Sequence, residues 1–115
     1  MKQSIITIDV RTDQNNNPES IAWTATDSGV KEAQQAKAMM LAFWDADKKS
    51  ALHIDLWTQE MMVDEMAEFY FQMMSTMADT FSRATAHKEF VAHMKNSANE
   101  FRKNFIELRN KQQRP

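Results

Sequence analysis

The chain has 115 residues, enough for one domain core and too few for two large ones. Hydrophobic residues make up 43% and charged residues 26%, which suits a folded globular protein and excludes a disordered one. There is no cysteine, so a disulfide framework and thiolate metal or redox sites are excluded. A net charge of −2 gives no general attraction to nucleic acid.

Residues 4–11 alternate, with Ile6, Ile8 and Val10 on one side and Thr7, Asp9 and Arg11 on the other. That is the period of a strand with one buried face. Asp9 and Arg11 interrupt the apolar run that a signal peptide requires, and no window approaches a membrane span, so a cytoplasmic protein is expected. Asn15-Asn16-Asn17-Pro18 marks a turn, and a second alternating run places Ile21, Trp23 and Ala25 on one face. Asp27-Ser28-Gly29 follows; the Ala, Gln, Lys and Glu content of Val30–Lys37 favours a helix of about two turns capped by Asp27 or Ser28, with a longer helix through Met39-Met40-Leu41 as the main competitor.

A strand is expected at 38–45, then turn residues Asp45 to Ser50, then a strictly alternating strand from Leu52 to Trp57. Beyond residue 62 the period changes. Met66, Phe69, Tyr70, Met73, Met77 and Phe81 recur at helical steps over 64–84, with Asp64 as the expected N-cap. A second helix runs from about Ala86 to Lys111, capped by Thr85, with Phe90, Met94, Ala98, Phe101, Phe105 and Leu108 as its stripe. No Gly or Pro separates the two, which leaves a helical hairpin and a single kinked rod both open. The fold class is α+β: an antiparallel sheet of about four strands over 4–58, in two hairpins with a short helix between them. Two long C-terminal helices over 63–111 pack on it, in one domain spanning 1–115.

Few residues point to catalysis. His53 and Asp55 share a strand face, as an acid–base pair would, but no motif brings a nucleophile beside them. His87 and His93 are six apart and lack an HExxH partner, and Asp45 and Asp47 lack the glycine and spacing of a calcium loop. With a single glycine the chain holds neither a P-loop nor a dinucleotide-binding fingerprint. No enzymatic activity, cofactor or metal is expected.

Apolar surface is more informative. Six of ten methionines (Met61, Met62, Met66, Met73, Met74 and Met77) fall within seventeen positions, and adaptable Met serves either a core or a partner groove. Phe71, Met74 and Ala78 widen the apolar surface of the first helix beyond one stripe, toward the second helix or another subunit. If Leu41 and Phe43 point inward with Leu52, Ile54 and Leu56, then Met40, Ala42, Trp44 and Trp57 point outward, a patch large enough to be a contact site. Trp44, Trp57, Met40, Phe71 and Met74 are therefore the candidate partner surface, for a protein partner or a homodimer. The alternative is a small apolar ligand held between sheet and helices. Residues 102–115 carry net +4, from Arg102, Lys103, Arg109, Lys111 and Arg114 against Glu107. Such charge either complements a helix C-terminus or docks an acidic surface.

Three blocks carry a family resemblance: Ile54-Asp55-Leu56-Trp57-Thr58, Val63-Asp64-Glu65-Met66, and Asp79 through Thr85 (DTFSRAT). With Ile21-Ala22-Trp23, Gly29 and Phe43-Trp44-Asp45 upstream, the chain resembles the GldC family of gliding motility-associated proteins over most of residues 5–95, and matches it poorly over the last twenty. The resemblance implies a small accessory protein of Bacteroidota-type surface gliding. It would bind, stabilise or deliver a component of that machinery, with no catalytic residues to carry over and no insertion into the membrane.

Overall fold

The computed structural model describes residues 2–27, 29 and 32–113. The chain forms two compact units, residues 1–61 and 62–115, and the division falls where the sequence period changes from two to about 3.6.

The first unit is antiparallel β structure in two sheets. β1 (Ile6–Thr12), β2 (Pro18–Ala25) and β3 (Gln34–Ala36) form one, in the order β1-β2-β3; β4 (Ala38–Asp45) and β5 (Ser50–Trp57) form the other. The α+β class holds, but the single four-stranded sheet is replaced by sheets of three and two strands. The expected helix over 30–37 is also corrected: 30 and 31 lie outside the described residues, and 34–36 pair as a strand with β2. Gln34, Gln35 and Ala36 are good helix formers, but intrinsic preference amounts to only tenths of a kcal/mol per residue, and the open edge of β2 offers a ladder that outweighs it.

The β1–β2 register sets Ile6 opposite Ala25, Ile8 opposite Trp23 and Val10 opposite Ile21, with Ala36 of β3 opposite Ile21. One face is therefore apolar, and Ile21, on the central strand, is its fully buried member. The connecting turn is held by Asp13, whose Oδ1 accepts from the main-chain N–H of Asn15 (2.8 Å) and of Asn17 (2.9 Å), while Asn16 takes the left-handed conformation at φ 64°. The Asn17 main-chain N–H is the chief reason that the Asp13 carboxyl titrates below its usual 3.8.

Lys37 separates β3 from β4, so one run of chain pairs first with β2 and then with β5. Thr58 fixes the change of partner: its N–H (2.8 Å) and its Oγ1 (3.1 Å) both donate to the Lys37 carbonyl, and its side chain is buried. The β4–β5 turn closes through Asp45, whose Oδ1 accepts from the N–H of Asp47 and Lys48, both at 3.0 Å.

The second unit is a helical hairpin, which settles the question of the joint. α1 (Val63–Thr85) ends where Ala86 adopts the left-handed conformation (φ 60°) and donates its N–H to Ser82 O at 2.8 Å; α2 (Lys88–Gln113) then returns antiparallel. Both expected caps are corrected. α1 is capped at Met62, where Glu65 Oε1 accepts the Met62 N–H (3.2 Å); Asp64 lies inside the first turn, bound to Arg109. Thr85 is the last residue of α1, not the cap of α2, and donates its hydroxyl back to Phe81 O (2.8 Å).

Polar rungs tie the helices together: Asp64 to Arg109 through two contacts of 2.7 Å, Glu68 to Arg102 at 3.5 Å, and Asp79 to Lys95 at 2.8 Å. Between them Ala78 and Ala98 are fully buried, small enough to let the helices approach. Thus Arg102 and Arg109, two cations of the basic C-terminal stretch, are engaged within the hairpin. The expected α2 stripe is only partly covered: Ala98 is buried, Met94, Phe101 and Phe105 are half-buried, and Phe90 and Leu108 are exposed.

Candidate functional site

The β4–β5 ribbon carries the apolar surface that stands out. Its register pairs Met39 with Leu56, Leu41 with Ile54 and Phe43 with Leu52 on one face. On the other it pairs Ala38 with Trp57, Met40 with Asp55, Ala42 with His53 and Trp44 with Ala51. The division into faces is the one that alternation predicts. Exposure is unusual on both. Trp44 is 69% and Trp57 58% exposed on one face, and Phe43 is 59% exposed on the other, with Leu52 and Ile54 also open. Large apolar side chains exposed together on a ribbon make a patch of the kind that marks contact surfaces.

Each tryptophan stands opposite an alanine, so its ring has room to lie across the neighbouring strand. Six residues separate Trp57 from Ala51, the partner of Trp44, so the rings sit roughly 20 Å apart along the face at about 3.3 Å per residue. Between them His53 Nδ1 and Asp55 Oδ2 are 2.6 Å apart. Sequence alternation brings this pair together as expected, and it gives the tryptophan face a polar centre. Beside Trp57, the side chains of Asn17, Pro18, Asp55, Leu56 and Gln59 form an open groove of about 310 Å³.

The five candidate surface residues divide between the units. Trp44, Trp57 and Met40 share the face just described. Phe71 and Met74 lie on α1, where both take part in helix pairing. The Arg102 guanidinium sits 4.6 Å from the Phe71 ring centroid, and Met74 lines a shallow groove with Met77, His93, Met94 and Ser97. The apolar width beyond one stripe is thus the seam toward α2. Of the stripe itself, Met66, Phe69 and Met73 are half-buried, whereas Tyr70 and Met77 are exposed. Sequence reasoning missed Thr58, the buried hydroxyl that sets where β4 begins. The one clue was its place at the end of an alternating run, where a β-branched polar residue is free to turn back.

Among the described residues no group of His, Asp and Glu is placed to hold a metal ion, and no helix is long and apolar enough to cross a membrane. A family model described as gliding motility-associated protein GldC-like matches residues 18–107. The chain belongs to the GldC-like family. The match takes in β2 through most of α2, so it reaches further into the C-terminal helix than the quoted blocks do and starts later, after β1. No curated protein and no solved structure shows a significant match.

Proposed function

We propose that this GldC-like chain is a non-catalytic accessory protein that binds or stabilises a component of a gliding machinery, using the β4–β5 ribbon as its contact surface. The observation that supports this is the exposure of Trp44 and Trp57 on one face of the ribbon and of Phe43 on the other. Large aromatic side chains held on a hydrogen-bonded ribbon lose little rotamer freedom on binding, which makes them effective interface anchors. The partner surface would be apolar, with a polar group able to meet the His53–Asp55 pair. The reading includes a cytoplasmic location, with which a chain free of cysteine is compatible.

The test is affinity capture from a gliding host, comparing the wild-type chain with a Trp44→Ala/Trp57→Ala variant. Loss of captured gliding components, with the circular dichroism spectrum unchanged, supports the reading. Undiminished capture by the double variant refutes it.

A further inference from the structure

We infer that the helical hairpin pairs face to face with the hairpin of a second copy, antiparallel about a two-fold axis, to form a four-helix bundle. This interface lies wholly on the second unit and does not draw on the tryptophan ribbon.

The hairpin is half of a bundle by its own pattern. At about 100° per residue, Met66, Tyr70, Met73, Met77 and Phe81 of α1 fall within roughly 80° of arc, centred about 100° round from Ala78 in the seam. On α2, Phe90, Met94, Phe101 and Leu108 fall within roughly 40°, centred about 60° round from Ala98. The rotation has the same sense on two antiparallel helices, so both arcs come to one side of the hairpin. They join at the groove lined by Met74, Met77, His93, Met94 and Ser97. Among the described residues of this unit only Ala78 and Ala98 are fully buried, and every large apolar side chain is at least partly open. Two helices hide only the seam between them, whereas four hide such an arc as well.

The charges beside this face select a second copy. On α2, Glu89, His93, Glu100, Glu107 and Lys111 fall within roughly 40° along the border of the apolar arc that lies away from the seam. A two-fold axis perpendicular to the helices at Glu100 sets Glu89 of one copy against Lys111 of the other, and His93 against Glu107. Each pairing occurs twice, once at either end of the bundle. Glu89 and Lys111 are about 33 Å apart along their own helix, so they meet only between chains.

The register of α1 follows from separate observations. The ion pairs Asp64–Arg109, Glu68–Arg102 and Asp79–Lys95 fix the relative heights of the helices and place Glu100 level with Met73 to within a turn. The same axis therefore passes at Met73 and sets Phe69 of one copy against Met77 of the other, an aromatic–thioether contact. One axis serves both helices. Its weak point is Glu100, which meets its own copy.

The area suits a specific dimer. α1 has 23 residues and is about 34 Å long, and two packed helices present a face about 20 Å wide. That is roughly 700 Å² per chain and about 1,400 Å² in total, within the standard range for stable interfaces.

Sedimentation of the full chain tests the pairing, and charge exchange tests its register. The wild type should be a dimer that dissociates at micromolar concentration or below; a monomer at several hundred micromolar would overturn the inference. Lys111→Glu and Glu89→Lys should each weaken the dimer about tenfold at low salt, since each places like charges together twice. Combined in one chain, they should restore wild-type association. Glu89 lies in the first turn of α2 and Lys111 in the last, so the double variant opposes the helix dipole at both ends. A purely structural role for these charges therefore predicts a larger loss in the double variant, and that result would overturn the antiparallel register. Met77 is 56% exposed, so Met77→Glu should leave the chain folded by circular dichroism and make it monomeric. A Met77→Glu chain that still dimerises would place the interface elsewhere. If the wild type is a monomer and Met77→Glu abolishes capture of a gliding component, the face takes that component and self-pairing is wrong. The Trp44→Ala/Trp57→Ala variant should dimerise as the wild type does, so failure of the ribbon proposal and failure of the bundle are read separately.

Discussion

Among the described residues Ile21 is the largest fully buried side chain, at 1% exposure on the central strand of the three-stranded sheet, so Ile21→Ala should be the costliest truncation among them in the first unit. The change removes three carbons, worth about 0.8 kcal/mol each, or roughly 2.4 kcal/mol of transfer free energy. The cavity left between Val10 and Ala36 adds on the order of 1 kcal/mol, for a total of about 3 kcal/mol. Urea slopes for small proteins are about 1–3 kcal/mol per M, so the unfolding midpoint should fall by roughly 1–3 M. All three tryptophans lie in residues 1–61, so their fluorescence reports on this unit. Ile6→Ala is the control, because Ile6 is 71% exposed on the same sheet and should cost less than about 1 kcal/mol. Equal midpoint shifts for the two variants would refute the assignment of the core to Ile21.

Ala86 holds a left-handed conformation that costs a residue with a Cβ about 1 kcal/mol, so Ala86→Gly should raise the stability of the helical hairpin by up to that amount in thermal or urea melts. The Asp64–Arg109 pair is partly exposed at both ends, so a double-mutant cycle should give a coupling of only about 0.5–1 kcal/mol, diminishing with added salt. Asp13 has its carboxyl pKa lowered in the folded state, so its charged form contributes stability above the unfolded value, and that contribution is lost as pH falls through the folded one. The gap in urea midpoint between wild type and Asp13→Asn should therefore be constant near neutral pH and close below the usual carboxylate range; a gap independent of pH would contradict the turn geometry. Thr58→Val removes the hydroxyl bond to Lys37 but keeps the shape, and should cost about 1 kcal/mol by urea titration.

Much of the fold was legible because its periods are clean. The strand at 38–45 appears with those bounds, and the division of β4 and β5 into an aliphatic face and a tryptophan face follows from alternation alone. Both helices appear within a residue or two of the expected bounds, 64–84 and about 86–111. Where local preference and tertiary pairing compete, sequence reading fails: Gln34-Gln35-Ala36 looks helical, and only the edge of β2 makes it a strand. Caps were misread for a related reason. Asp64 is bound to Arg109, forty-five residues away, and Ala86 turns the chain without the glycine that normally marks such a turn. The tryptophan surface was readable as a pattern, but the phase of the β4 ladder was not, because it depends on the bond between Thr58 and Lys37.

The central claim is that the aromatic side chains of the β4–β5 ribbon serve contact with another molecule more than the stability of the chain itself. Measuring urea stability and capture of gliding components side by side for Trp44→Ala/Trp57→Ala tests it directly. The account predicts a chain that still folds, with a combined stability loss of no more than about 4 kcal/mol because less than half of each tryptophan is covered, together with loss of capture. A variant that no longer folds, or one that stays folded and still captures its partner, would contradict it.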